Sequence, residues 1–393
     1  METKAINTKL KGHARVDVAD VLRGLAVMGI IILHSIEHFN FYSFPDTAGQ
    51  SAWLNFSDKA IWNGLFFMFG KAYAIFALLF GFSFFIQDDN QRLRGNDFRL
   101  RFCWRLILLF LIGNINASFF TAEVLVLYSL VGFILPLTCR LKDKWIFALA
   151  CLLLIQPLPL YYVIRACLDP EFVTPAIPTR SFWNATFAVQ SNGNFLETIR
   201  VNLWEGQLAS LAWAWDHGRV FQTAALFLLG MLIGRKGLFL KEHLKVWNKV
   251  LAGSLVAFFP LYGLGNMLPD FITNKSILTP LSLIITSLSN FAFMLILVSG
   301  VVFAFYKTNL HDGLMKITPY GKMSLTNYIT QSIVGSILYY NWGFALHNQF
   351  GITASCLAGI VFFILQFSFC RWWMNHHSHG PMEYIWKRAT WLK

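Results

Sequence analysis

The stretch DVLRGLAVMGIIILHSIEH, residues 20–38, joins an ionic entry, Asp20 and Arg23, to a polar exit, His34, Glu37 and His38, through ten uncharged residues. A helix needs about 20 mostly apolar residues to cross the hydrocarbon of a bilayer, and the run 18–39 supplies that length. Nine further apolar runs follow at 61–86, 102–120, 122–139, 145–164, 216–234, 247–265, 277–306, 323–340 and 353–372. With 56% hydrophobic and 13% charged residues in 393, the chain carries more apolar surface than a water-soluble fold of this size hides. Every backbone polar group in hydrocarbon must be satisfied within the protein, so these runs predict helices, and the absence of period-two alternation excludes a barrel. The expected fold is therefore all-α: one polytopic transmembrane domain over 1–393, with about ten helices and both termini cytoplasmic. No small-residue cleavage site follows the first run, so it is expected to stay attached rather than act as a leader.

Short cytoplasmic loops collect Lys and Arg, and the basic residues divide accordingly. With the N-terminus inside, 25 of the 32 fall on the cytoplasmic side, among them Lys4, Lys9, Lys11, Arg15, the Arg92–Arg105 cluster, Arg140, Arg235 and Lys393. Six remain outside, and Lys71 lies within a run. The formal net charge of +12 follows from this topology and does not call for nucleic acid. The six cysteines lack CxxC spacing, which argues against a disulfide framework or a zinc site, and His376, His377 and His379 lack the helical spacing of metal ligands. No metal is expected. The long external segment, 165–215, is rich in Pro and Trp and reads as an ordered loop or interfacial helix at headgroup level.

Polar groups carried into a bilayer at a cost mark functional sites. Arg23 and His34 are eleven residues apart, nearly one helix face, and about 16 Å apart along the axis. Asp20 can pair with Arg23, and Glu37 can orient His34, with His38 beside them. The stripe suggests a cation that meets an anionic ligand from the cytoplasm and an imidazole that works deeper as general base or nucleophile. Lys71 either binds a phosphate or carboxylate or pairs with Glu37 or Glu123. Asn327 and Gln331, spaced i, i+4, either hydrogen-bond a sugar or amide or join helices. His217, with Asp216 and Arg219, borders the external segment, where it can touch an extracytoplasmic acceptor.

Asp20-x-x-Arg23-Gly24-x-Ala26, followed by His34 with ten residues between it and Arg23, resembles the first-helix signature of the membrane acyltransferase superfamily. The C-terminal half, with Gly321-Lys-Met-Ser-Leu-Thr-Asn327-Tyr328-Ile-Thr-Gln331-Ser332, Arg371-Trp372-Trp373 and Gly380-Pro381-x-Glu383-x-x-Trp386, resembles the YeiB-like family of bacterial membrane proteins. Helices within 1–140 are thus acyltransferase-like and those within 216–393 YeiB-like. Asn116 and Ala122-Glu123 stand where the YeiB-type pattern carries a histidine and Gly-Asp, so the base would be His34, with Glu123 as a candidate partner. The resemblance implies an acyltransferase that moves an acyl group from a cytoplasmic acyl-coenzyme A-type donor to a glycan, lipid or small-molecule acceptor at the outer face, with membrane lipids as surroundings and the bacterial inner membrane as location. The alternative is a proton-coupled transporter or exporter of a small polar or lipid-linked metabolite, with the same buried His, Glu and Lys as relay.

Reporter fusions test the topology. Fusions at Lys393 and in 266–276 should report opposite sides of the membrane, and the same side for both would overturn the ten-span arrangement.

Overall fold

The computed structural model describes residues 16–41, 44, 50–175 and 177–391, and every regular element among them is helical. The basic residues Lys4, Lys9, Lys11, Arg15 and Lys393 lie outside the described residues. The helices are α1 (Asp17–Ile36), α2 (Ala52–Gly64), α3 (Ala72–Arg92), α4 (Arg99–Ala117), α5 (Val124–Val131), α6 (Ile134–Thr138), α7 (Asp143–Leu154), α8 (Pro157–Leu168), α9 (Thr179–Asn192) and α10 (Phe195–Val201). They continue with α11 (Gln207–Asp216), α12 (Arg219–Arg235), α13 (Leu244–Phe271), α14 (Lys275–Lys307), α15 (His311–Met315), α16 (Thr318–Lys322), α17 (Ser324–Tyr339), α18 (Ile352–His376) and α19 (Pro381–Trp391).

Each of the ten apolar runs falls on a helix or a helix pair. Six are long and apolar enough to cross a membrane, and eight are if each of two bent pairs counts as one span. The pairs are α7 with α8, bent by 51°, and the α10–α11 segment with α12, bent by 72°. The remaining two runs are the short apolar segment Val124–Thr138 and the 16-residue α17. The chain is a helical membrane protein.

Burial grades outward from α1. Its most apolar window is 72% buried, whereas that of α13 is 11% buried and presents Val256 and Phe259 on the outside. An apolar helix in contact with lipid needs no cover, since lipid tails are as apolar as its side chains. Helix contact in lipid therefore depends on close backbone approach. At the crossing of α3 and α12, a Cβ at Gly81 would stand 1.9 Å from the Phe227 carbonyl oxygen, and one at Gly230 would stand 1.8 Å from that of Leu78. A second such contact joins α1 to α16, where a Cβ at Gly321 would meet the Asp20 carbonyl oxygen at 1.9 Å.

The bends have local causes. Pro157 can begin a helix but not continue one, and Gln156 before it adopts φ 59°. Gly218 adopts φ 63° between α11 and α12. The two breaks satisfy one another: Gln156 Nε2 donates to the Gly218 carbonyl oxygen at 3.0 Å and to Ser287 Oγ at 3.0 Å. Backbone groups freed by kinks inside a membrane find such partners.

α3 runs from Ala72 to Arg92 and α12 from Arg219 to Arg235, which defines two ends of the bundle. At the basic end Arg235 pairs with Asp143 at 2.9 Å, Arg92 with Asp89 at 2.6 Å, and Arg140 with Asp88 and Asp97 at 3.4 Å each. Hydrogen bonds from Arg99 hold the Asp97 carboxyl below the usual carboxylate range. α19 docks there through side chains of the C-terminal motifs. Glu383 accepts from Leu325 N at 2.7 Å and Thr326 N at 3.1 Å, capping α17. Trp386 lies under the Arg105 guanidinium at 3.9 Å.

Filling the α3–α12 crossing should unfold it. Gly230→Val should cost about 3 kcal/mol, the upper end for overpacking, read as a lowered melting temperature of the purified protein. Gly253→Ala, where nothing stands within 4 Å, should be neutral or stabilising. Equal stability of Gly230→Val and wild type would contradict the crossing.

Candidate functional site

At the end opposite the basic cluster, α1, α3, α5, α9, α11, α12 and α17 surround a cavity of about 610 Å³. His34, Glu37, His38 and Glu123 line it, together with Tyr73, Tyr328, Arg180, Trp183, Trp213 and Arg219. Its volume is that of a site for a drug-sized molecule.

His34 sits in the last turn of α1 with its ring 4.6 Å from Phe120 and 5.3 Å from His38, centroid to centroid. No hydrogen-bonding group among the described residues engages its imidazole. A half-buried imidazole with unclaimed nitrogens can accept a proton from, or bond to, whatever enters the cavity. α1 stops at Ile36, so Glu37 is its C-cap and no longer shares a helix face with His34. The Glu37 carboxylate stands 3.7 Å from His38 Nδ1 instead. The carboxylate thus neighbours the second histidine, at ion-pair range and beyond hydrogen-bond distance, and not His34.

Glu123 reaches the cavity from the loop before α5. One carboxylate oxygen accepts from Asn116 Nδ2 and the other from Leu125 N at 2.5 Å, which makes Glu123 the N-cap of α5. Asn116 is 1% exposed and does not line the cavity; it holds the carboxylate that does. The loop is tied to the helices above it by a buried knot in which Asn202 Oδ1 accepts from Gln190 Nε2 at 2.8 Å and from Thr121 Oγ1 at 3.2 Å. Asn202 opens a π-helical turn, Asn202–Gly206, inside the otherwise α-helical 195–216 segment.

The other predicted residues lie elsewhere. Arg23 pairs with Asp20, as expected, and donates to Ser83 Oγ on α3 at 2.9 Å. Neither Asp20 nor Arg23 lines the cavity. Lys71 is 2% exposed; its Nζ donates to the Phe66 carbonyl at 2.9 Å and sits over the Phe66 ring at 4.1 Å. The chain turns at Gly70, φ 69°, and this leaves Lys71 against Phe66 and Phe293, away from Glu37 and Glu123. Asn327 and Gln331 do share one face, but that face meets Gln366 and Tyr320. Gln331 Nε2 donates to Tyr320 Oη at 3.0 Å and to Gln366 Oε1 at 3.1 Å, and Asn327 Nδ2 donates to the Tyr320 carbonyl at 3.0 Å. They join helices and do not line the cavity.

Sequence reasoning missed Tyr73, Tyr328, Arg180 and Trp183. The Trp-rich external segment was the available signal, because it folds as α9 to α11 and closes the cavity from above. Arg219 begins α12 with its guanidinium 4.4 Å from the Tyr73 ring and 5.4 Å from that of Trp213. Gln222 Oε1 accepts from both Arg219, at 3.0 Å, and Tyr73 Oη, at 2.8 Å. No group of three His, Cys, Asp or Glu side chains among the described residues is placed to hold a metal ion.

Two comparisons with known proteins place the chain. Residues 233–393 match a family described as "Protein of unknown function (DUF418)". The uncharacterized protein YxaH of Bacillus subtilis is 26% identical over 97% of this chain and 95% of its own length. The uncharacterized protein YeiB of Escherichia coli is 25% identical over 94% of this chain and 95% of its own. The chain is thus similar to YeiB along nearly its whole length. An uncharacterized 39.9 kDa protein from the amylase 3′ region of Bacillus acidopullulyticus is 22% identical over 96% of this chain and 94% of its own. No solved structure matches. All three relatives are bacterial; in this chain the motifs Gly321–Ser332 and Gly380–Trp386 shape α16, α17 and the docking of α19, whereas the cavity draws mainly on earlier helices.

Proposed function

We propose that this YeiB-like chain is an acyltransferase of the bacterial cytoplasmic membrane that works on an acceptor in the cavity beside His34. The observation that carries the proposal is the convergence of an unclaimed imidazole with two carboxylates, Glu37 and Glu123, on one cavity of about 610 Å³. The Arg23 and His34 spacing, which resembles the acyltransferase signature, supports the same chemistry. By the distribution of basic residues, the cavity lies at the outer face and the basic end in the cytoplasm.

In this reading His34 accepts the proton of an acceptor hydroxyl or amine as that group attacks the carbonyl of an acyl thioester. The carbon–sulfur bond breaks, the thiolate leaves, and the imidazolium returns the proton to it, so that ester or amide and free thiol are the products. Glu37 stabilises charge on His38, and Asn116 keeps the Glu123 carboxylate aimed at the cavity. Arg23, engaged by Asp20 and Ser83, has a scaffold role between α1 and α3. The donor is of acyl-coenzyme A type.

Purified protein given labelled acyl-coenzyme A should release thiol only when an acceptor is present. His34→Ala should lower that rate at least about a hundredfold with unchanged melting temperature. Arg23→Ala should lower folded yield without selectively raising the Michaelis constant for the donor. Wild-type protein that releases no thiol but moves a solute through liposomes in a proton-dependent way would overturn the proposal in favour of transport.

A further inference from the structure

The cavity holds two cations that the mechanism above does not use. Arg219 employs one arm of its guanidinium on Gln222, and its plane is fixed against Tyr73 and Trp213. Among the described residues no carboxylate lies within ion-pair distance of Arg219 or of Arg180, which lines the same cavity. Asp216, three residues before Arg219 and lining the same cavity, accepts from Thr179 Oγ1 at 2.5 Å. Arg219 is partly buried and Arg180 is exposed beside the same cavity; a partly buried guanidinium generally finds an anion, and the planar fork of Arg219, held by stacking, is suited to bidentate phosphate.

The backbone makes room for this arrangement. Gly70 takes φ 69°, and a Cβ there would lie 3.3 Å from Arg219 Nη2 and 3.2 Å from Asn290 Nδ2. The rest of the wall is largely apolar, with Leu33, Met68, Phe69, Leu127 and Phe187. An inorganic anion would leave that wall and most of the volume unfilled. Trp183 and Trp213 stand at the rim, the residue type that prefers the headgroup level of a bilayer.

We infer that the Arg180 and Arg219 rim of the cavity is a subsite for a phosphate-bearing amphiphile, the arginines taking the phosphate and the apolar wall the chain. This substrate class rests on the reading of the cavity as the place where the acceptor binds. A phosphomonoester carries up to two negative charges at neutral pH, which matches two arginines. The amphiphile enters from the outer leaflet with its phosphate at the two arginines, and a hydroxyl or amine of the same headgroup turns toward His34 in the cavity they share.

The test uses the full-length protein in detergent and four probes: inorganic phosphate, glycerol 3-phosphate, lysophosphatidic acid, and the uncharged monoacylglycerol with the same chain. Binding is followed by tryptophan fluorescence. Lysophosphatidic acid should bind at least about tenfold more tightly than the monoacylglycerol and than either soluble phosphate. Equal affinity for lysophosphatidic acid and monoacylglycerol overturns the arginine subsite, and equal affinity for glycerol 3-phosphate overturns the amphiphile. Arg219→Gln and Gly70→Ala should each abolish the charge preference, whereas His34→Ala should retain it; the wild-type probe series decides the matter if a variant fails to fold. Charge-selective binding without thiol release sinks acyl transfer and leaves the subsite standing. Thiol release without charge selectivity does the reverse.

Discussion

Backbone contact at glycine is the constraint on which the bundle depends. Lipid offers helices no hydrophobic reward for association, so packing and hydrogen bonding between close surfaces must hold them. Gly81 and Gly230 bring the carbonyls of Phe227 and Leu78 to where a side chain would otherwise stand, and Gly321 does the same with Asp20. These contacts join α3 to α12 and α1 to α16. Since α3 and α12 carry Tyr73 and Arg219 at one end and Arg92 and Arg235 at the other, their crossing sets the distance between the cavity and the basic cluster. The 17 residues of α12 from Arg219 to Arg235 put those two Cα atoms about 24 Å apart along the helix.

The cavity exists because several helices stop short of it or break beside it. α1 ends at Ile36, α3 begins only after the left-handed turn at Gly70, and α12 begins after Gly218. Irregular backbone at membrane depth is tolerated where protein satisfies it or where it borders a cavity. Gln156 supplies the hydrogen bond for Gly218, and the Asn202, Gln190 and Thr121 knot fixes the loop that presents Glu123. The polar residues of the cavity are thereby carried on ends and turns, whereas the polar residues within the long helices bind one another.

That division explains what could be read from the residues. Each of the ten apolar runs falls on a helix or helix pair, and the length that lipid requires of a span is met by six to eight of them. His34, Glu37 and His38 were legible as a group since they close a charge-free run. Glu123 was legible as the charge in a position where the YeiB-type pattern carries Asp. Asn327 and Gln331 were correctly placed on one face, but which face meets the cavity depends on Gln366, more than 30 residues away, and no local spacing encodes that. Lys71 is similar: its partner is the Phe66 carbonyl, five residues back, rather than a distant carboxylate. Arg180, Trp183 and Arg219 reach the site through the folding of the external segment over the bundle, a tertiary event without a periodic signature.

The central claim is that the end of the bundle beside His34 is a ligand site. A density map of the full-length protein purified from its native membrane tests this most directly. The account predicts a discrete, elongated feature within the cavity, with one end near Arg219 and Arg180 and its other part within reach of His34. A map in which side chains close the space around His34, Glu37 and Glu123, leaving no volume for a ligand, would contradict it.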